Sequence, residues 1–145
     1  GYGLFKSGDG GASWKGVSNT LSRSVMALAI AGDDSKTIYA GSMDLGILRS
    51  TDGGVTWQPA NIGLNTKAVM SLATSPTAPG LVYAGTDRGL FQSKDSGVSW
   101  TLAGFRGAAM VVAAAPANPQ HIVLVDDKTN VYRSEDGGAT WGSGR

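Results

Sequence analysis

The sequence has no cysteine, which excludes disulfides, thiolate metal sites and cysteine nucleophiles and leaves the redox compartment open. It has one histidine, His121, which cannot build a multi-histidine metal centre alone. Charge of one sign is also lacking. Twelve basic and eleven acidic side chains leave a net +1, so bulk charge supports no grip on nucleic acid or on an anionic membrane. The longest apolar stretch, Ala108 to Ala115, falls far short of the ~20 residues of a spanning helix. The first residues lack the charged and apolar regions of a signal peptide. No stretch carries three turns of 3.6-residue periodicity, so little or no helix is expected.

Glycine is abundant. There are 22 in 145 residues, against about 10 from usual usage of ~7%. A chain that turns this often is not a helical bundle.

The turns recur. GLFKSGDGGASW (Gly3 to Trp14), GILRSTDGGVTW (Gly46 to Trp57), GLFQSKDSGVSW (Gly89 to Trp100) and NVYRSEDGGATW (Asn130 to Trp141) align without gaps. All four tryptophans occupy one repeat position, 43, 43 and 41 residues apart. Between these segments SVMALAIA, AVMSLATS and AAMVVAAA align on Met26, Met70 and Met110. TIYAGS, LVYAGT and HIVLVD follow. Each unit therefore reads as four short strands, A to D, divided by Gly, Asp, Asn and Pro clusters. Strand A is small and apolar, which suits a crowded inner position, and its methionines are expected to pack there. Strand D is expected to start at the tryptophan and to form the outer edge.

A repeat of 40–45 residues with four strands is the mark of a β-propeller blade. The expected fold is all-β, with about three and a half blades of four antiparallel strands in residues 1–145. A half-blade occupies 3–16, and blades occupy approximately 24–60, 68–103 and 108–145.

The shared motif S-x-D-x-G-x-S/T-W resembles the Asp-box, or BNR repeat, of sialidases and related propellers. Its physics is local. The Asp carboxylate can accept hydrogen bonds from turn amides, glycine can take positive φ, and Trp supplies an apolar face with a polar edge. Asp9 and Trp14, Asp52 and Trp57, Asp95 and Trp100, and Asp136 and Trp141 are accordingly read as structural staples. Chemistry rarely recurs once per blade.

In such blades the B–C loops and D–A connections share one face, where ligands usually meet the channel. Candidate binding residues there are Arg23, Lys67 and Arg106 on the D–A connections. Asp44, Asp87, Arg88, Asp126 and Asp127 lie on the B–C loops. Cations beside anions could hold a carboxylate-rich peptide or a sugar, or could be solvated charges that pair weakly. His121 aligns with Thr37 and Leu81 and reads as structural.

Beyond the box, YAG(S/T)…G(I/L)(L/F)xSxDxGxxW resembles photosystem II assembly and stability factor-like propellers, sortilin-type ectodomains and xyloglucanase-type glycoside hydrolases. The resemblance favours an extracellular or periplasmic setting and implies no cofactor. It implies a sialidase-like fold without the sialidase site. None of Arg23, Arg49, Arg88, Arg106, Arg133 and Arg145 is followed by Ile-Pro, so no catalytic residue is assigned. The expected function is a non-enzymatic module that binds or scaffolds a protein or peptide through the channel-mouth loops. The alternatives are a carbohydrate-active protein using Asp44, Asp87, Asp126 or Asp127, and a truncated propeller segment without independent function. Fewer than four blades leave faces uncovered. Closure is expected either from missing blades or, the favoured expectation, from a second copy in a homodimer.

Overall fold

The structure is a computed structural model that describes residues 3–18, 21, 24–32 and 36–143. Among the described residues there is no helix, and strands form four antiparallel sheets. A two-stranded ribbon pairs β1 (Leu4–Lys6) with β2 (Lys15–Ser18). Three four-stranded meanders follow. The first blade holds β3 (Val25–Ala31), β4 (Thr37–Ser42), β5 (Ile47–Ser50) and β6 (Gln58–Pro59). The second holds β7 (Val69–Ser75), β8 (Ala78–Thr86), β9 (Gly89–Ser93) and β10 (Thr101–Ala103). The third holds β11 (Ala109–Ala114), β12 (Ile122–Asp126), β13 (Val131–Ser134) and β14 (Gly142–Ser143). In each blade strands A to D are hydrogen-bonded in chain order.

The blades stack face to face through alternate residues, as the two-residue period of a strand requires. One buried cluster joins Tyr39 and Ile47 of the first blade to Val69, Val82, Phe91 and Trp100 of the second. Another joins Tyr83 and Leu90 of the second to Ala109, Val112, Ile122 and Leu124 of the third. Small residues on strands A and B let the sheets approach. A Cβ on Gly41 would stand 2.8 Å from Val69 Cγ1, and one on Gly85 would stand 2.6 Å from the Ala109 carbonyl oxygen. Polar bonds cross the same junctions. Thr74 Oγ1 donates to Ile30 O at 2.9 Å, and Tyr83 Oη donates to Pro119 O at 3.0 Å.

Two local expectations are corrected. Strand D begins one residue after each tryptophan, at Lys15, Gln58, Thr101 and Gly142. In three boxes the indole N–H is drawn back onto the turn, as where Trp57 Nε1 donates to Gly54 O at 2.9 Å and Trp141 Nε1 to Gly138 O at 3.0 Å, whereas Trp100 Nε1 donates to Ala60 O at 2.8 Å. Two of the three aligned methionines, Met26 and Met110, are not packed as inner-strand residues, while Met70 is half-buried. Met26, Met70 and Met110 each sit at a register shift at the start of strand A, where a bulge re-aims the side chain. Met26 and Met110 are exposed.

Candidate functional site

The loops divide between two ends of the sheets. At one end the C–D turns bond to the A–B loops: Gly53 N donates to Lys36 O, Ser96 N to Gly80 O and Gly137 N to Gln120 O. At the other end the B–C loops bond to the D–A connections: Met43 N donates to Ser24 O, Gly46 N to Lys67 O, Asp87 N to Ala68 O and Leu90 N to Phe105 O. The chain's four tandem boxes lie at the first end and the described candidate binding residues at the second.

The boxes are closed circuits. In the third, Gly97 N donates to Ser93 Oγ at 2.8 Å and Ser93 Oγ donates to Asp95 Oδ1 at 2.8 Å. Ser99 N donates to Asp95 Oδ1 at 2.8 Å, and Ser99 Oγ to the second carboxylate oxygen. The other three boxes repeat this pattern on Asp9, Asp52 and Asp136. Hydrogen bonds from the following Ser or Thr lower each of the four carboxyl groups to about pKa 2. These donors satisfy the charged form and leave little capacity for a ligand.

A pH dependence follows from the sign of these shifts. A carboxyl group whose folded pKa is depressed contributes stability above its unfolded value near ~3.9. That contribution is lost as pH falls through the folded value of about 2. The denaturation midpoint should therefore drop steeply between about pH 4 and 2. Replacing Asp95 and Asp136 by asparagine should flatten the drop. A midpoint that stays level across that window would contradict the circuits.

At the mouth, three carboxylates are also engaged by neighbouring loop residues. Asp44 accepts from Ser24 Oγ, and from Ser42 Oγ at 2.6 Å. Asp87 accepts from Thr66 Oγ1 at 2.5 Å. Asp126 is the buried last residue of β12. It accepts from Lys128 N at 2.9 Å, Asn130 N at 2.8 Å, Asn130 Nδ2 at 2.9 Å and Tyr132 Oη at 3.2 Å. Hydrogen bonds from Ser24 and Ser42 hold the Asp44 carboxyl below its ordinary value, with Lys67 adding a smaller Coulombic pull. The Asn130 side chain does the same for Asp126.

The cations contrast with this. Lys67, Arg88, Arg106 and Lys128 are exposed. Among the described residues none of the four makes an ion pair. Asp127 is exposed as well, and Arg23 lies outside the described residues. The loops thus bring Lys67, Asp87 and Arg88 to one junction and Phe105 and Arg106 beside Gly89. Sequence reasoning missed the partners that engage the carboxylates: Ser24, Ser42, Thr66, Asn130 and Tyr132. Ser42-Met43-Asp44 repeats the Ser-x-Asp opening of the boxes, a signal that was present. Thr66 and Asp87 are 21 residues apart, and no local pattern joins them. Among the described residues no group of three or more His, Cys, Asp or Glu could hold a metal ion. No described helix is long and apolar enough to cross a membrane.

Four-stranded meanders stacked face to face and closed by Ser-x-Asp turns define Asp-box β-propeller blades. The BNR/Asp-box repeat family matches residues 48–59. A search of curated proteins finds no match. Among solved structures the chain is similar to an ancestral GH74 enzyme, with 23% identity and a TM-score of 0.72 over 83% of this chain and 18% of that one. It is similar to YCF48 from Cyanidioschyzon merolae, with 19% identity and a TM-score of 0.70 over 91% of this chain and 40% of that one. It is also similar to YCF48 bound to D1 peptide, with 16% identity and a TM-score of 0.68 over 83% of this chain and 40% of that one. At these identities the likeness is one of fold. The chain spans less than half the length of each of these proteins.

Proposed function

We propose that these blades form a non-enzymatic binding module that takes a carboxylate-bearing protein or peptide segment at the B–C and D–A loops. One observation carries the reading. Asp44, Asp87 and Asp126 accept hydrogen bonds from neighbouring side chains and amides, while Lys67, Arg88, Arg106 and Lys128 stand exposed without ion pairs among the described residues. The exposed ammonium and guanidinium groups can donate to an anionic group, and arginine offers it paired donors. A solved relative of this fold is bound to a peptide, which is compatible with the reading and does not fix the ligand.

Glycoside hydrolysis fits less well. It needs one carboxylic acid with a raised pKa beside a second carboxylate. Asp44 and Asp126 are both shifted the other way, because hydrogen bonds favour their charged forms.

Fluorescence anisotropy with a labelled glutamate-rich peptide tests the proposal. Wild type should bind it saturably and in a salt-dependent manner. The triple change Lys67→Glu, Arg88→Glu and Arg106→Glu should weaken binding at least about tenfold with an unchanged circular dichroism spectrum. Binding indifferent to the triple change overturns the reading. So does hydrolysis of a polysaccharide by wild type that is lost in Asp44→Ala or Asp87→Ala.

A further inference from the structure

An arginine without an anion stands at the junction of the first two blades. Arg49 on β5 lies opposite Tyr39 on β4 and Gln58 on β6. Its stem is held by the turn of the next blade, where a Cβ at Gly97 would stand 2.8 Å from Tyr39 Cε1 and 3.7 Å from Arg49 Cδ. The side chain is half-buried, and its Nε is buried without a hydrogen-bond partner. Among the described residues it makes no ion pair. The carboxylates of the two adjoining boxes are already engaged, Asp52 by Ser50 and Thr56 and Asp95 by Ser93 and Ser99. A partly desolvated charge with no counter-charge is costly. The second blade carries the neutral Gln92 at the counterpart of Arg49. Beside Arg49 opens a cleft of about 380 Å³. Its lining is polar at Arg49, Thr51 and Gln58 and apolar at Ala60, Ile62 and Val98. Ile62 and Val98 are 70% and 55% exposed, and the side chains of Thr51 and Gln58 have no partner among the described residues.

We propose that this cleft is a binding site for a small carboxylic acid with an apolar body. The carboxylate would take the guanidinium of Arg49, with the Thr51 hydroxyl and the Gln58 amide as further donors. The apolar body would cover Ile62 and Val98. Volume and lining both fit: small-ligand sites start near ~300 Å³ and combine apolar walls with a few placed polar groups. A charge-assisted bond to arginine is the strong kind, and the packed stem leaves little of the side chain to be ordered on binding. The apolar lining is what separates such an acid from a bare inorganic anion, which would leave Ile62 and Val98 in water. Both sides of the cleft come from blades whose four strands are present in this chain. The site stands apart from the B–C loops, and the inference is independent of the ligand at the mouth.

The test is a proton–nitrogen NMR titration of the full chain with phenylbutyrate. Saturable shifts are expected at the Ile62, Gly97 and Val98 amides and at Arg49 Nε–H, with a dissociation constant on the order of 1 mM for a ligand of this size. The neutral isostere phenylbutyramide should bind at least about fivefold more weakly, because it lacks the charge. Acetate should do so as well, because it lacks the apolar body. Arg49→Gln, which installs the residue of the second blade, should weaken phenylbutyrate at least about fivefold. Val98→Asp, a change at an exposed position, should have the same effect by repulsion. The triple change at Lys67, Arg88 and Arg106 should leave the affinity unaltered. The proposal is overturned by absence of saturable shifts, by equal binding of the amide or of acetate, or by undiminished affinity in Arg49→Gln or in Val98→Asp. It is overturned as well if the triple change abolishes binding, which would move the acid to the mouth.

Discussion

Replacing Trp100 by alanine should lower the unfolding free energy by about 3–5 kcal/mol. The same change at Trp14 should cost less than about 1 kcal/mol. Both residues end an Asp-box, and their turns carry the same hydrogen bonds. Their surroundings differ. Trp100 is 2% exposed and packs with Tyr39, Ile47 and Phe91, and its indole N–H donates to Ala60 O of the preceding blade at 2.8 Å. Removing it opens a large cavity and orphans a buried acceptor. Trp14 is 63% exposed, and its indole bonds only to Gly11 O of its own turn. Urea unfolding of the two variants measures the difference. Equal losses would mean that the tryptophan stabilises its turn and not the junction between blades.

The second large effect falls on a glycine. Gly85→Val should cost about 3 kcal/mol or more, the upper end of overpacking. The obstacle is the carbonyl group of Ala109, 2.6 Å from the added Cβ. Backbone cannot rotate away as a side chain does, so β8 and β11 must separate along the second junction. Gly142→Val is the matched control, because nothing lies within 4 Å of a Cβ at Gly142. Its effect should stay within about 0.5 kcal/mol. Comparable losses at both positions would contradict the close stacking of blades two and three.

These contrasts mark how far the sequence is legible. The tryptophan spacing and the Ser-x-Asp turns reveal the strand order, because each acts within one hairpin. Which tryptophan is buried is not encoded in its own segment. It depends on whether a blade lies against that face, and the repeats of Trp14 and Trp100 are nearly the same in sequence. The bulges at Met26, Met70 and Met110 were hidden for a related reason. An apolar run with small residues reads as a regular strand, and a register shift is a property of the pair. At the mouth, sequence placed the loops but not the state of their charges. Asp44, Asp87 and Asp126 look like ligands until Ser24, Thr66 and Asn130 are seen to engage them.

Carboxyl ¹³C titration of Asp44 and Asp126 in the intact chain tests this account of the mouth most directly. Both groups should titrate below the ordinary aspartate value near ~3.9, as loop-held carboxylates do. A carboxyl group at either position that stays protonated above about pH 5 would instead mark a proton donor and return the face to catalysis.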